Sequence, residues 1–145
     1  MKHSLAATGL LLTVLAVGLT AQRADQYRQK YGAPDSHSRY IVRPDIGMTV
    51  EFAENGQASN IVIRRLESGD PTNHNGSDLM SPAAVKEILE EVLPDARRGK
   101  LQQSGRFVSS CFSSGIDEYE HVSINQARRC MAQGDGIYYI AVHFK

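Results

Sequence analysis

"MTVEFAENGQASNIVIRRL", residues 48 to 66, alternates, turns, and resumes. Met48, Val50 and Phe52 interleave with Thr49 and Glu51, a period of two that sends one set of side chains to each face of a strand. Asn55-Gly56 accepts the positive φ angles of a tight turn. Beyond it the β-branched Ile61, Val62 and Ile63 favour a second strand, so residues 46 to 65 are expected to form a hairpin. Upstream, "RYIVRP" at 39 to 44 continues the extended pattern. Pro44 removes a ladder donor and places that segment at a sheet edge or a break.

Helical spacing appears on either side of this core. In "MSPAAVKEILEEVLP", residues 80 to 94, Ser81 is a natural N-cap, Pro82 suits the first helical position, and Val85, Ile88, Leu89 and Val92 fall on one face. Pro94 stops the run, giving a helix from 81 to 93 whose apolar face lies on a sheet; each side chain buried there is worth about 1.5–3 kcal/mol. In "ADQYRQKYGAP", Ala24, Tyr27 and Tyr31 recur at helical spacing. Gly32 then suits a left-handed cap before Pro34, so a short helix is expected over 25 to 31. Towards the C-terminus, "GRFVSSCF" (105 to 112) reads as one short strand, and "EYEHVSIN" (118 to 125) and "IYYIAVHF" (137 to 144) read as two better ones, with a turn at Gly134, Asp135 and Gly136. The fold class expected is α+β: an antiparallel sheet of about four or five strands with one or two helices packed on one face.

The N-terminus points to export. "MKHSLAATGLLLTVLAVGLTAQ" has a basic start at Lys2, an uncharged apolar run of about 15 residues from Leu5 to Leu19, and small residues near Ala21. That run suits a signal-peptide core and is shorter than the roughly 20 residues that span a bilayer. Residues 1–21 are therefore expected to be a signal peptide, cleaved after Ala21 or Ala24, with a retained anchor as the alternative. Residues 22–145 form a single domain in the periplasm or outside the cell, with no membrane insertion after processing. With 16 basic and 16 acidic residues, the chain has no broad basic field to hold nucleic acid.

No motif in the chain specifies a reaction, and no cofactor is expected. Asn73, Asn75, Gly76 and Asp78 approach a calcium loop, but Pro71 and Pro82 stand where its first and twelfth ligands belong. The serines around Cys111 do not form G-x-S-x-G, and Glu90-Glu91 and Glu118/Glu120 lack a glycosidase context. In an exported chain, Cys111 and Cys130, separated by 18 residues, are expected to form a disulfide; closing such a loop is worth about 3 kcal/mol in the chain-entropy model. One further constellation carries chemistry. If their strands pair, Tyr119, His121, Tyr139 and His143 would share an outer face able to take a metal or a small ligand.

"YGAP" (31 to 34), "YIVRP" (40 to 44), "VEFAENGQ" (50 to 57), the 80 to 94 helix and "YEHVSI" (119 to 124) together resemble a group of small exported bacterial proteins of uncharacterised function. More remotely, a short helix ending in G-x-P before a strand pair with an "NGQ" turn is similar to the small outer-membrane assembly lipoproteins and to the β-lactamase-inhibitor protein fold. Those families imply protein binding rather than catalysis. Unlike the lipoproteins, this chain has no cysteine near the cleavage point. The expectation is a non-catalytic binding or interaction module whose partner is another exported or envelope protein. The alternatives are a small ligand- or metal-binding protein or hydrolase using the outer strand face, and an extracellular assembly subunit pairing near Pro44. Intact mass of the secreted form tests the first premise. The product is expected to begin at Gln22 or Asp25 and to gain two hydrogens on reduction; a mass that includes Met1 rules out the cleaved leader, and two alkylatable thiols rule out the disulfide.

Overall fold

The computed structural model describes residues 22–66, 79–110, 112–131 and 134–145, and within them the hairpin read from the sequence stands as β2 (Ile46–Phe52) and β3 (Ala58–Arg65). Its turn is looser than a two-residue connection. Ala53 and Gln57 close it, Gly56 alone takes a positive φ of 77°, and the Asn55 carboxamide oxygen accepts from the Gln57 N–H at 2.9 Å. A three-residue loop of this kind needs one left-handed residue, and glycine supplies it without a Cβ clash.

Seven strands form one sheet in the order β1-β2-β3-β7-β6-β5-β4, with every neighbouring pair antiparallel. β1 (Arg39–Arg43), β2 and β3 make one meander. The chain then passes through α2 (Pro82–Val92) and the four-residue α3 (Asp95–Arg98), and re-enters as β4 (Leu101–Ser109), β5 (Phe112–Tyr119), β6 (Val122–Met131) and β7 (Gly134–Phe144). The second meander closes on the first where β7 pairs with β3, leaving β1 and β4 as the two edges.

This architecture corrects the expected four or five strands with helices over one face. The sheet is larger by two or three strands, the helices are short, and no residue of β4 or β5 is buried, so that end is not covered as the rest is. "GRFVSSCF" is the end of one strand and the start of another. "EYEHVSIN" is split by a turn at Glu120-His121, where the Glu120 N–H donates to the Lys100 carbonyl and the His121 N–H to that of Arg98. The error has a physical source: neither face of β4 or β5 is buried, and with Phe107 and Val108 adjacent their alternation marks no single core-facing set. Three readings lie outside the described residues, namely the 1–21 leader, the polar stretch within 67–78, and Cys111; the Cys130 side chain lies outside them too.

The core occupies one side of the sheet at its β1-to-β6 end. Tyr40, Met48, Ile63 and Ile140 form one cross-strand row, and Ile61, Val142 and Ile124 form the next, all buried. Val85, Ile88 and Val92 of α2 bury into the same cluster, after a start at Ser81, whose hydroxyl accepts from the Ala84 N–H at 3.2 Å. Helix α1 (Ala24–Tyr31) is too short to persist alone and is held by aromatic packing: the buried Tyr27 ring lies 5.7 Å from Tyr40 and 5.9 Å from Phe52. Burial pushes the Tyr27 phenol up to about 12.

Glu91 ties these pieces together. Its carboxylate accepts from the Tyr31 hydroxyl at 2.9 Å, meets Lys30 Nζ at 3.3 Å, and accepts from Arg43 Nη2 at 3.0 Å, joining α1, α2 and β1. Partial burial alone would raise its pKa, but the hydrogen bonds from Tyr31, Arg43 and Lys30 outweigh it and hold the carboxyl below the ordinary value of 4.5. A carboxyl depressed in the folded state adds stability above its unfolded value and loses it as pH falls through the folded one. Lys30 and Arg43 are partly solvated, so Glu91→Gln is expected to lower stability by only about 1 kcal/mol near pH 7. In urea titrations the deficit should shrink as pH falls below the ordinary glutamate value of about 4.3 and through the lower folded one; a deficit constant with pH would contradict the assigned role.

Candidate functional site

Where the core ends, the two faces of the sheet exchange character. The row Ile61–Val142–Ile124 continues across β5 and β4 as Asp117 and Ser104, so an apolar row becomes a polar one. Arg106 grips Asp117 with both terminal nitrogens, Nη1 at 2.8 Å from Oδ1 and Nη2 at 3.1 Å from Oδ2, and the Ser104 hydroxyl donates to the same carboxylate. Partial burial alone would raise Asp117, but the Arg106 and Ser104 hydrogen bonds outweigh it and hold the carboxyl below its ordinary range.

On the opposite, outer face the same strands present Phe107, Phe112 and Ile116. Gly105, Ile116, Asn125, Ala141 and Val62 lie in one row, and Phe107, Ser114, Ala127, Tyr139 and Arg64 in the next. Phe107, Phe112, Ile116 and Tyr138 are exposed, Phe107 at 61%, while Ala127 is fully buried among its neighbours. Near the tip, a bulge between Ala127 and Arg128 makes room for the extra residue Tyr138. Its ring meets Tyr139 edge-on at 6.0 Å, and the Arg129 guanidinium stacks over it at 5.0 Å. The result is an aromatic and aliphatic face with Arg64 and Arg129 on its rim.

The outer face turns polar towards the other end of the strands. His143 of β7 lies in a row with Asn60, Ser123 and Glu118; Glu118 accepts from the Ser123 hydroxyl at 2.7 Å and pairs with Lys145 at 2.9 Å, and these contacts lower its pKa. Two acceptors on this face, Asn60 Oδ1 and Asn125 Oδ1, are buried without a hydrogen-bond partner among the described residues.

Of the four residues expected to share a ligand face, the fold brings two together. Tyr139 and His143 are on the outer face four positions apart on β7, about 13 Å at strand rise. Tyr119 packs on the core instead, and His121 sits exposed in the β5–β6 turn. Among the described residues no three His, Cys, Asp or Glu side chains stand close enough to hold a metal.

No protein-family model matches the chain, and no curated protein does. One solved structure is a distant neighbour. It is a DUF4309 family protein (YjgB) from Bacillus subtilis subsp. subtilis str. 168, 11% identical, covering 89% of this chain and 84% of that chain with a TM-score of 0.46. A likeness at this level carries no argument about activity, so the reading of function rests on the residues themselves.

Sequence reasoning missed Phe107, Phe112, Ile116, Tyr138 and Arg129. A signal was present in β4, where Gly105 and Phe107 alternate with Ser104 and Arg106, but two-sided exposure hid which set mattered. The Arg106–Asp117 grip supports this uncovered hairpin, and Asp117→Asn is expected to speed amide hydrogen exchange across β4 about three- to tenfold. Exchange across the β2–β3 pair should be unchanged; equal acceleration in both would mean that Asp117 supports the whole fold.

Proposed function

We propose that this protein is an exported binding module that holds a partner protein against the outer face of β4 to β7, with no reaction centre of its own. The observation that carries the proposal is the reversal of polarity. A sheet end without a buried core carries the Ser104, Arg106 and Asp117 cluster on the side continuous with the core, where Val108 is exposed too, and presents Phe107, Phe112, Ile116 and Tyr138 to the outside. Contiguous exposed apolar groups bounded by charge are the signature of interaction surfaces, and aromatic and arginine side chains are the types that dominate binding energy there. The remote likeness to the assembly lipoproteins and the β-lactamase-inhibitor fold favours the same class of function. A ligand or hydrolase centre made of Tyr119, His121, Tyr139 and His143 gains no geometric support, because only two of the four share a face.

Export belongs to this proposal, and so does the Cys111–Cys130 disulfide. Its support is the β5–β6 ladder, whose last described pair is Phe112 with Arg129; each cysteine is the next residue outward in sequence. An oxidising compartment and an even cysteine count favour the pairing.

Site-specific photo-crosslinking tests the binding face. A crosslinker at Tyr138 or Ile116, in cells making the protein at native level, is expected to trap one discrete species, and a crosslinker at Glu54 in the β2–β3 turn to trap none. Ile116→Glu, at an exposed position, is expected to abolish the product with little change in melting temperature. Trapping at Glu54 equal to that at Tyr138, or no product from either outer-face position, overturns the reading.

A further inference from the structure

The two edges of the sheet are built differently. β1 has five residues, a bulge between Ile41 and Arg43, and an arginine at each end, one bound to Asp35 and the other to Glu91. Short, bulged, charged edges resist further pairing. β4 has nine residues, all exposed, including Phe107 and, at 75%, Val108; its only irregularity lies at its start, between Leu101 and Gln103. Among the described residues no strand pairs with its outer side, so its backbone groups there form a template for another strand.

We infer that β4 pairs antiparallel with β4 of a second copy of this chain, with Gly105 on the two-fold axis. This register gives the strand its longest overlap with itself, Leu101 to Ser109, and sets no like charges opposite each other. On the outer face Gly105 lies between Gln103 and Phe107 and beside Ile116, and a Cβ placed on it would meet no atom within 4 Å. A knob, Phe107, and a notch, Gly105, therefore stand two residues apart on one face of one strand. A two-fold axis through Gly105 sets the Phe107 of each copy opposite Gln103 of the other and diagonally over the other's notch, where the ring can cover Ile116.

Other registers fail for stated reasons. With Arg106 on the axis two guanidiniums oppose each other, and with Phe107 there the overlap shrinks to the five residues 105–109. With Ser104 there the overlap shrinks to the seven residues 101–107, against the nine of the Gly105 register. In the Gly105 register Arg106 faces Ser104 while keeping its own Asp117, so no like charges meet, and the equal numbers of acidic and basic residues, 16 of each, impose no net repulsion between copies. The assembly is one continuous sheet of two seven-strand halves with both outer faces on the same side. This extends the binding reading above by making the partner surface double, but it does not depend on that reading.

Sedimentation velocity on protein expressed from the full sequence tests it. The wild type is expected to dimerise, and Gly105→Val, which fills the notch with a residue better suited to a strand, to raise the dissociation constant about tenfold or more, because the axis repeats each lost contact. Phe107→Ser should act in the same direction, and Ile41→Ser at the other edge should leave association unchanged. A strict monomer at about 0.1 mM, far above the micromolar range of modest interfaces, or a dimer indifferent to both β4 variants, overturns the inference. Crosslinking from Tyr138 to a different protein in the Gly105→Val variant would leave the binding reading standing by itself.

Discussion

The pairing of β3 with β7 is the contact on which the rest of the molecule depends. Ile61 faces Val142 and Ile63 faces Ile140, four side chains fully withdrawn from water, contributed by segments some 80 residues apart in the chain. Without this seam there would be two meanders, each with one apolar face and nothing large enough to cover it. With it, the β-branched rows of both halves become one surface on which α1 and α2 can dock. Contacts so distant in sequence are entropically expensive to bring together, and the density of burial along the seam is what offsets that loss.

The helices then mark out the molecule's functional geography. α1 and α2 cover the end of the sheet where the seam lies, pinned by the Tyr27, Tyr40 and Phe52 rings and by the Glu91 carboxylate. Beyond their reach β4 and β5 project as a hairpin with water on the side that would otherwise be core, and that side carries Ser104, Arg106 and Asp117. Its reverse side carries Phe107, Phe112 and Ile116. An apolar face turned to solvent lowers solubility unless something covers it for much of the time, so the reversal ties the shape of the sheet to the use of its outer face.

Much of the covered half could be read directly from the residues. Asn55-Gly56 marks the hairpin, Ser81 and Pro82 start α2, Gly32 ends α1, and Pro44 lies at the edge strand, each through local stereochemistry that acts whatever the surroundings. The uncovered half was not legible in the same way. Glu120 and His121 form a turn with neither glycine nor proline, fixed by backbone hydrogen bonds to Lys100 and Arg98 from another part of the chain. The candidate site was hidden for a related reason. Tyr119 and His121 are two apart and so read as one face, but the chain reverses at Glu120-His121 and the regular alternation of a strand does not carry across it.

The sequence by itself determined the local elements of the covered half, because backbone angles, capping and side-chain period are settled there within a few residues. It determined too that a single antiparallel sheet would carry them. Only the tertiary structure decided that there are seven strands, that β3 meets β7, and which side of β4 to β7 faces outward. Those facts depend on what the two helices have enough apolar surface to cover, a quantity that belongs to the assembled chain and to no segment of it.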